Sequence, residues 1–341
     1  MKTWIISLVC CLSICSAYAS GKAEATREIT KNFSVSAAPA LNITNKYGNI
    51  FLSEWDRNEI YFSIQIIGEA NNLSDAQKIA DAANIDFSQS GNRVTAATDL
   101  SGYSQLKLRN SSIKIHYTVK IPAKTTMDLT NTYGNIDFEQ TEQPFKAIVK
   151  YGNLTAEKIS GTDNNIEIKY GNLYIGELSQ LNLDLKYSEL HVEKAETINM
   201  ISAYSKITAG TIGTLVTDSK YDTYKLNGTD NTTLSSAGYS KYTINTLTNR
   251  FEASSVAYSD IKILSVSKSF KSITIDCKYT DTSIGIAPDN SYNATLSVRY
   301  GDIKAHNLSI DGGNYTGKIG QGNATAEVKI TSSYGNVRLS D

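Results

Sequence analysis

Histidine is the side chain most often used for acid–base catalysis and for binding transition metals. The sequence has three of them, His116, His191 and His306, on separate segments and in no metal-binding spacing such as H-E-x-x-H. The nucleophile motif G-x-S-x-G is absent. Residues 312–318 match the phosphate-binding pattern G-x-x-x-x-G-K, but Ile319 stands where that motif needs Ser or Thr. We therefore predict no catalytic residue, no bound metal and no cofactor.

A carbohydrate-active enzyme is the main alternative from another function class. Polysaccharide lyases and hydrolases on parallel β-helices need paired carboxylates, or an acidic calcium site, on one face. The acidic residues of this sequence are scattered along the chain. This favours a protein that is not an enzyme, whereas three or more carboxylates in one cleft of the structure would favour the enzyme.

The most regular charged feature is a basic residue immediately before a recurring tyrosine. Lys150, Lys169 and Lys186 take this position in consecutive repeats and are the candidate ligand-binding residues, for an anionic glycan or another envelope polymer. Glu167 and Asp184 precede two of these lysines by two residues, which places them on the same strand face. The alternative, which the sequence favours, is a solvated surface of ion pairs that are each worth little.

Tyrosine marks a repeat that covers most of the chain, commonly as K-Y-G-N and with a mean spacing of about 18 residues from position 133 onward. Apolar and polar residues alternate on both sides of each tyrosine, as at Ile166 and Ile168 before Tyr170 and at Leu173 and Ile175 after it. The recurring residues are Tyr47, Tyr133, Tyr151, Tyr170, Tyr187, Tyr204, Tyr221, Tyr239, Tyr258, Tyr279, Tyr300, Tyr315 and Tyr334.

Alternation with a period of two predicts β-strands that each bury one face. Repeats of this length that turn several corners stack strand on strand in parallel, so we predict an all-β fold, a single-stranded parallel β-solenoid (β-helix) of about 18-residue coils. Glycine often follows the tyrosine, as at Gly152, and is predicted to supply a positive φ at a corner. The tyrosines share the inward parity, which predicts a stacked structural column rather than a sugar-binding strip. Cys277 is predicted to be buried.

Residues 1–19 have the features of a signal peptide: a basic Lys2, a short apolar run and small residues at Ala17 and Ala19. A lipoprotein signal at Cys15 is disfavoured, because Ile14 is bulky where such a site needs a small residue. The rest of the chain contains no apolar stretch of the roughly 20 residues that a transmembrane helix needs. We predict an exported protein, in the periplasm or at the cell surface.

Two further regions follow the predicted signal peptide. Residues 20–125 are predicted to hold the first repeat and a small α+β cap or insertion, with a helix at about 74–84 that begins in a capping box at Ser74. Residues 126–341 are predicted to be the β-solenoid repeats. The Tyr334 repeat is expected to be the last of the stack, covered by residues 311–324 or, alternatively, by a second chain.

A formal net charge of −1 excludes the strong electrostatic attraction that nucleic-acid binding requires. The repeats, the signal peptide and the strand at 113–122 (IKIHYTVKIP) resemble the bacterial, Bacteroidetes-type putative adhesin family of secreted β-solenoid proteins, whose function is unknown. That resemblance implies an exported, non-enzymatic module of the cell envelope that binds an unidentified glycan or protein or serves as a structural spacer. It supplies no catalytic residues.

Overall fold

A computed structural model describes residues 21–305, 308–321 and 323–340, which form 24 β-strands and two short helices. The prediction of an all-β fold is confirmed. The predicted signal peptide lies outside the described residues. The chain divides into two compact units, Met1–Gly171 (unit 1) and Asn172–Asp341 (unit 2).

Unit 1 contains twelve strands and both helices. They are β1 (Ala23–Ser34), β2 (Ala40–Lys46), β3 (Ile50–Trp55), β4 (Glu59–Ala70), α1 (Leu73–Ala82), β5 (Asn84–Ser90), β6 (Arg93–Asp99), α2 (Ser101–Gln105), β7 (Ser112–Pro122), β8 (Thr126–Thr132), β9 (Ile136–Thr141), β10 (Phe145–Lys150), β11 (Leu154–Ile159) and β12 (Asn165–Lys169).

The Tyr47 repeat, formed by β2 and β3, is paired on both sides. Strands β8 and β9 of the Tyr133 repeat run parallel to it on one side. Strands β6 and β7 run parallel to it on the other, and antiparallel β5, β4 and β1 continue outward from them. The segment between the Tyr47 and Tyr133 repeats therefore leaves the stack and covers its first repeat before the chain returns.

Helix α1 begins one residue earlier than the predicted capping box. The side chain of Asn72, and not Ser74, caps it by accepting a hydrogen bond from the backbone N–H of Asp75 at 2.9 Å. An asparagine fits this position because its side-chain oxygen satisfies a free N–H of the first turn. Ala76, Ile79 and Ala80 form the buried face of the helix, and α1 packs against β1 and β4.

Unit 2 contains the remaining twelve strands. They are β13 (Asn172–Lys186), β14 (Glu189–Ala203), β15 (Lys206–Lys220), β16 (Thr223–Gly238), β17 (Lys241–Ala257), β18 (Asp260–Val266), β19 (Ser272–Lys278), β20 (Asp281–Gly285), β21 (Tyr292–Ala305), β22 (Leu308–Ile319), β23 (Ala326–Ser333) and β24 (Val337–Ser340).

Successive strands of unit 2 pair in parallel with the strand one repeat later, from β13 through β17. Leu183, for example, pairs with Met200, which pairs in turn with Thr217. This register stacks equivalent residues, so the inward positions form continuous buried rows such as Leu173, Leu190 and Ile207. Cys277 lies in the core as predicted.

The last repeats do not stack in sequence order. Strand β19 pairs with β23, and β21 pairs with β23 and β24, so the Tyr334 repeat lies between the Tyr279 and Tyr300 repeats. Strand β22 pairs antiparallel with β21. The prediction that the Tyr334 repeat ends the stack is wrong, since Val328, Ile330 and Val337 are enclosed on both sides. Part of the 311–324 segment does cover an end, but it is the end formed by the Tyr300 repeat.

The corner at each tyrosine differs from the prediction. Twelve of the recurring tyrosines, all except Tyr315, themselves take positive φ, between 49° and 64°. The glycine that follows is needed for close approach instead: a Cβ on Gly152 would lie 2.0 Å from the carbonyl oxygen of Gly134. The sequence shows that a corner exists, but not which of two adjacent residues adopts the left-handed conformation.

Candidate functional site: a tyrosine ladder beside a charged groove

Eight tyrosine rings of unit 2 stack in one continuous row, which we call the tyrosine ladder. Adjacent ring centroids lie 4.7–5.0 Å apart and the planes are tilted by no more than 17°. In spatial order the ladder consists of Tyr187, Tyr204, Tyr221, Tyr239, Tyr258, Tyr279, Tyr334 and Tyr300. In unit 1, Tyr47, Tyr133, Tyr151 and Tyr170 stack in the same manner at 4.9–5.3 Å.

The ladder lies at the surface, so the predicted inward parity of the tyrosines is wrong, although the stacking itself is found. Each tyrosine of the ladder is 41–60% exposed. The left-handed corner turns the tyrosine side chain outward, and this outward turn breaks the period of two. Every internal ring has both faces covered by its neighbours, so what it offers solvent is its edge and its hydroxyl group. A sugar therefore cannot stack on the face of an internal ring.

Basic residues precede four of the eight tyrosines of the ladder. Lys220 lies 5.5 Å from the ring centroid of Tyr221, and the guanidinium of Arg299 lies 5.1 Å from that of Tyr300. Cations at this distance interact favourably with an aromatic ring. Lys220 and Arg299 are therefore held against the ladder.

The three predicted ligand-binding lysines are divided between the units. Lys150 and Lys169 lie opposite each other in register on β10 and β12 of unit 1, whereas Lys186 lies on β13 of unit 2. Lys169 donates a hydrogen bond to Glu167 at 2.7 Å, and Lys186 donates one to Asp184 at 3.1 Å. These are the acids that the sequence places on the same face. The structure thus shows local, part-exposed ion pairs, whose contribution is small in water.

A groove of about 440 Å³ lies in unit 2 directly beyond the tyrosine corner, and we call it the charged groove. It is lined mainly by residues two and four positions after the tyrosines of adjacent repeats, where outward side chains of neighbouring strands stack. Ile261, Thr282 and Val337, at the third positions, also line it. The second positions provide Lys241, Asp260, Asp281, Asn336 and Asp302; the fourth provide Lys262, Ser283, Arg338 and Lys304. Four cations and three carboxylates give the groove one net positive charge.

Sequence reasoning missed the charged groove because its side chains come from repeats that are not stacked in chain order. Asn336 lies between Asp281 and Asp302 in space, and hydrogen bonds link the three residues. The backbone N–H of Asn336 donates to Asp281 at 2.8 Å, and the side-chain oxygen of Asn336 accepts from the backbone N–H of Asp302 at 3.1 Å. The only signal in the sequence is a polar or charged residue two and four positions after these tyrosines, and a local pattern does not show that these positions form one surface.

A buried polar cluster lies inside unit 2 beneath Tyr204 and Tyr221, the second and third rings of the ladder. Asp222 is only 2% exposed, and its carboxylate accepts hydrogen bonds from the Ser202 hydroxyl at 2.8 Å and from the backbone N–H groups of Ser205 and Lys220 at 2.7 and 3.0 Å. The Tyr224 hydroxyl lies 2.6 Å from the Ser202 hydroxyl oxygen. This network satisfies polar groups that the left-handed corners would otherwise leave without partners.

Burial raises the pKa of Asp222 above that of an exposed aspartate, although the hydrogen bonds from Ser202, Ser205 and Lys220 oppose the shift. The folded state therefore favours the protonated form more than the unfolded state does. It follows that the contribution of Asp222 to the free energy of unfolding falls as the pH rises from the pKa of Asp222 in the unfolded protein to its pKa in the folded protein. An NMR titration of the side-chain carboxyl carbon should give a midpoint above that of an exposed aspartate, and a midpoint at or below it would contradict this assignment.

The histidines are not brought together. His116 of unit 1 lies beside the backbone N–H of Asn49 at 3.3 Å, His191 of unit 2 stacks on Tyr174 at 5.1 Å, and His306 is outside the described residues. In residues 21–305, 308–321 and 323–340, no group of three or more His, Cys, Asp or Glu side chains could hold a metal ion. Neither helix of this described part is long and apolar enough to cross a membrane.

Comparison with known proteins adds a distant likeness in structure. No protein-family model and no curated protein matches the chain. Solved structures resemble it. A putative adhesin from Bacteroides fragilis is 11% identical, with a TM-score of 0.32, over 92% of this chain and 96% of that one.

A putative cell adhesion protein from Clostridium sporogenes is 10% identical, with a TM-score of 0.24, over 92% of this chain and 99% of that one. A putative lipid binding protein from Parabacteroides distasonis is 10% identical, with a TM-score of 0.35, over 92% and 97%. The names of the first two agree with the family resemblance found in the sequence.

Proposed function

We propose that the protein is an exported, non-enzymatic β-solenoid of the bacterial cell envelope that binds an extended ligand in the charged groove. The parallel pairing of each strand with its equivalent one repeat later supports the solenoid architecture. The signal-like residues 1–19 support export. The charged groove, lined by rows of stacked side chains, is the observation that carries the binding function.

The chemistry of the groove favours an acidic glycan. Lys262, Arg338 and Lys304 form its basic row, which suits carboxylate or sulfate groups spaced along a polymer. The carboxylates of Asp260 and Asp302 lie on the row nearer the ladder and suit sugar hydroxyl groups, which donate hydrogen bonds. A neutral glycan would leave the basic row without partners. Adhesion to an acidic envelope or extracellular polymer follows from this arrangement.

A polysaccharide lyase or hydrolase is the second candidate, because Asp260, Asp281 and Asp302 meet the condition set from the sequence, three carboxylates in one cleft. One of the three carboxylates has a structural role, however, because Asp281 accepts hydrogen bonds from both the backbone and side-chain nitrogens of Asn336. Glycoside hydrolysis needs one carboxyl group to act as an acid and another as a base or nucleophile. Incubation with the polymer that binds decides the matter: new reducing ends or unsaturated sugar products would establish the enzyme.

The binding test is a panel of acidic and neutral polysaccharides, read by calorimetry or a glycan array. We expect Lys262→Gln, Lys304→Gln and Arg338→Gln together to weaken binding of an acidic glycan at least tenfold, because each contact between charged groups is worth about 1.5–3 kcal/mol. The matched control is Lys150→Gln, Lys169→Gln and Lys186→Gln, which removes the same charge outside the groove and should leave binding unchanged. Equal loss in both triple variants, or no loss in the first, would contradict the assignment of the groove.

A further inference from the structure

The tyrosine ladder is a large exposed aromatic surface. Each of its eight tyrosines is 41–60% exposed. With about 200 Å² for a whole aromatic side chain, the ladder exposes on the order of 800 Å². That area, which includes the hydroxyl groups, is similar to the roughly 800 Å² that each partner contributes to a standard protein–protein interface.

The spacing of the ladder, which is close to the strand spacing of β-sheets in general, is matched by a second copy. The ring edges and hydroxyls repeat every 4.7–5.0 Å along the row. A surface with another spacing would lose register within a few rings, whereas a second ladder keeps register along its whole length. A second copy of this chain has the same spacing and the same length of row.

The charges on either side of the ladder fix how two copies meet. Basic residues occupy the position before the tyrosine and acidic residues the second position after it in three repeats: Lys186 and Glu189, Lys278 and Asp281, Arg299 and Asp302. Lys186 and Glu189 already pair within the chain, with Asp184 and Lys206. Where the second position is Lys206 or Lys241, the position before the tyrosine is Ala203 or Gly238. No repeat of the ladder has like charges at both positions.

Two ladders placed face to face can be related by a two-fold axis along the row or across it. An axis across the row brings the basic side of one copy against the basic side of the other. An axis along the row brings the basic side of each copy against the acidic side of its partner, repeat against the same repeat. Only the second arrangement turns the charge pattern into attraction.

We propose that two copies of this chain associate side by side through their tyrosine ladders, with a two-fold axis parallel to the row. Arg299 of each copy then faces Asp302 of its partner, and the same holds for Lys278 and Asp281. The basic row of the charged groove, which includes Lys304, lies two residues farther along the strands, about 7 Å from the interface. The dimer leaves that basic row open but engages Asp281 and Asp302 of the other row, so a second copy and a glycan would compete for Asp302. The proposal goes beyond the binding function and does not depend on it.

The test is light scattering over a concentration series at low and high salt. We expect a dimer whose affinity falls at least tenfold in Arg299→Asp, because this change places like charges opposite each other at both symmetry-related contacts. Asp302→Arg should weaken it equally, and the double variant should restore it, since both charges are then exchanged in both copies. Lys304→Asp, with the same kind of charge change in the same repeat, should leave the dimer intact.

A second pair of variants tests the rings. Tyr239→Asn with Tyr258→Asn removes two central rings, and asparagine tolerates the left-handed corner, so circular dichroism should report a folded monomer. Tyr174→Thr removes an exposed tyrosine outside the ladder and should leave the dimer unchanged. A wild-type monomer at every concentration overturns the proposal, as does a dimer that persists in the folded ladder variant.

Discussion

Replacing Gly152 with alanine is expected to destabilise the protein by about 3 kcal/mol or more, at the upper end of what overpacking costs. The new Cβ would lie 2.0 Å from the carbonyl oxygen of Gly134 and 2.7 Å from its carbonyl carbon. Both are backbone atoms of the neighbouring repeat, so relief requires the two repeats to separate and their paired strands to lose hydrogen bonds. Denaturant unfolding followed by circular dichroism measures the change in the free energy of unfolding.

Gly238 provides the matched control. A Cβ built on it meets nothing within 4 Å, and the equivalent position before the tyrosine is occupied by alanine at Ala203 and Ala257. Gly238→Ala should therefore change the free energy of unfolding by no more than about 0.5 kcal/mol. Comparable stability of the two variants would mean that the close approach at Gly152 is not a feature of the folded protein.

These two glycines show what the sequence could and could not predict about the fold. Period-two alternation correctly predicts the buried rows, because burial of one strand face depends only on the parity of each residue. The corner was predicted wrongly because a glycine after a bulky residue usually indicates positive φ at the glycine. Here the tyrosine takes that conformation, with its ring held in the ladder. The glycine is needed because it has no side chain, which lets the backbones of adjacent repeats approach closely.

The order of the last repeats was also beyond sequence reasoning. The Tyr300 and Tyr334 repeats have the same motif, so nothing local shows that the later one lies inside the stack. Strand β23 pairs with both β19 and β21, which are distant in sequence, and nothing in the local sequence favours this arrangement over stacking in chain order. The charged groove exists only because of that choice, since Asn336 and Arg338 complete its two rows. The predicted site, a row of lysines, came from a local pattern, and in the structure two of those lysines are held by acids on their own strands.

Leu183→Asp is expected to disrupt unit 2 rather than merely weaken it. Leu183 is 4% exposed and pairs in register with Met200 in the next strand, so an aspartate there would place a carboxylate among stacked apolar side chains without a partner. Leaving such a group unpaired costs several kcal/mol, a large fraction of the stability of a typical domain. Because each repeat of unit 2 is supported by its neighbours, the loss spreads along the parallel strands instead of staying local.

Lys186, three residues after Leu183, provides the comparison. Lys186 lies on the same strand with its side chain at the surface, where it pairs with Asp184. Lys186→Asp exchanges an ion pair for a repulsion in water and should cost no more than about 1 kcal/mol. Thermal unfolding of the two variants compares an inward and an outward position of the same strand. If Leu183→Asp unfolds at the same temperature as Lys186→Asp, the inward row that runs through Leu183 and Met200 is not the core of unit 2.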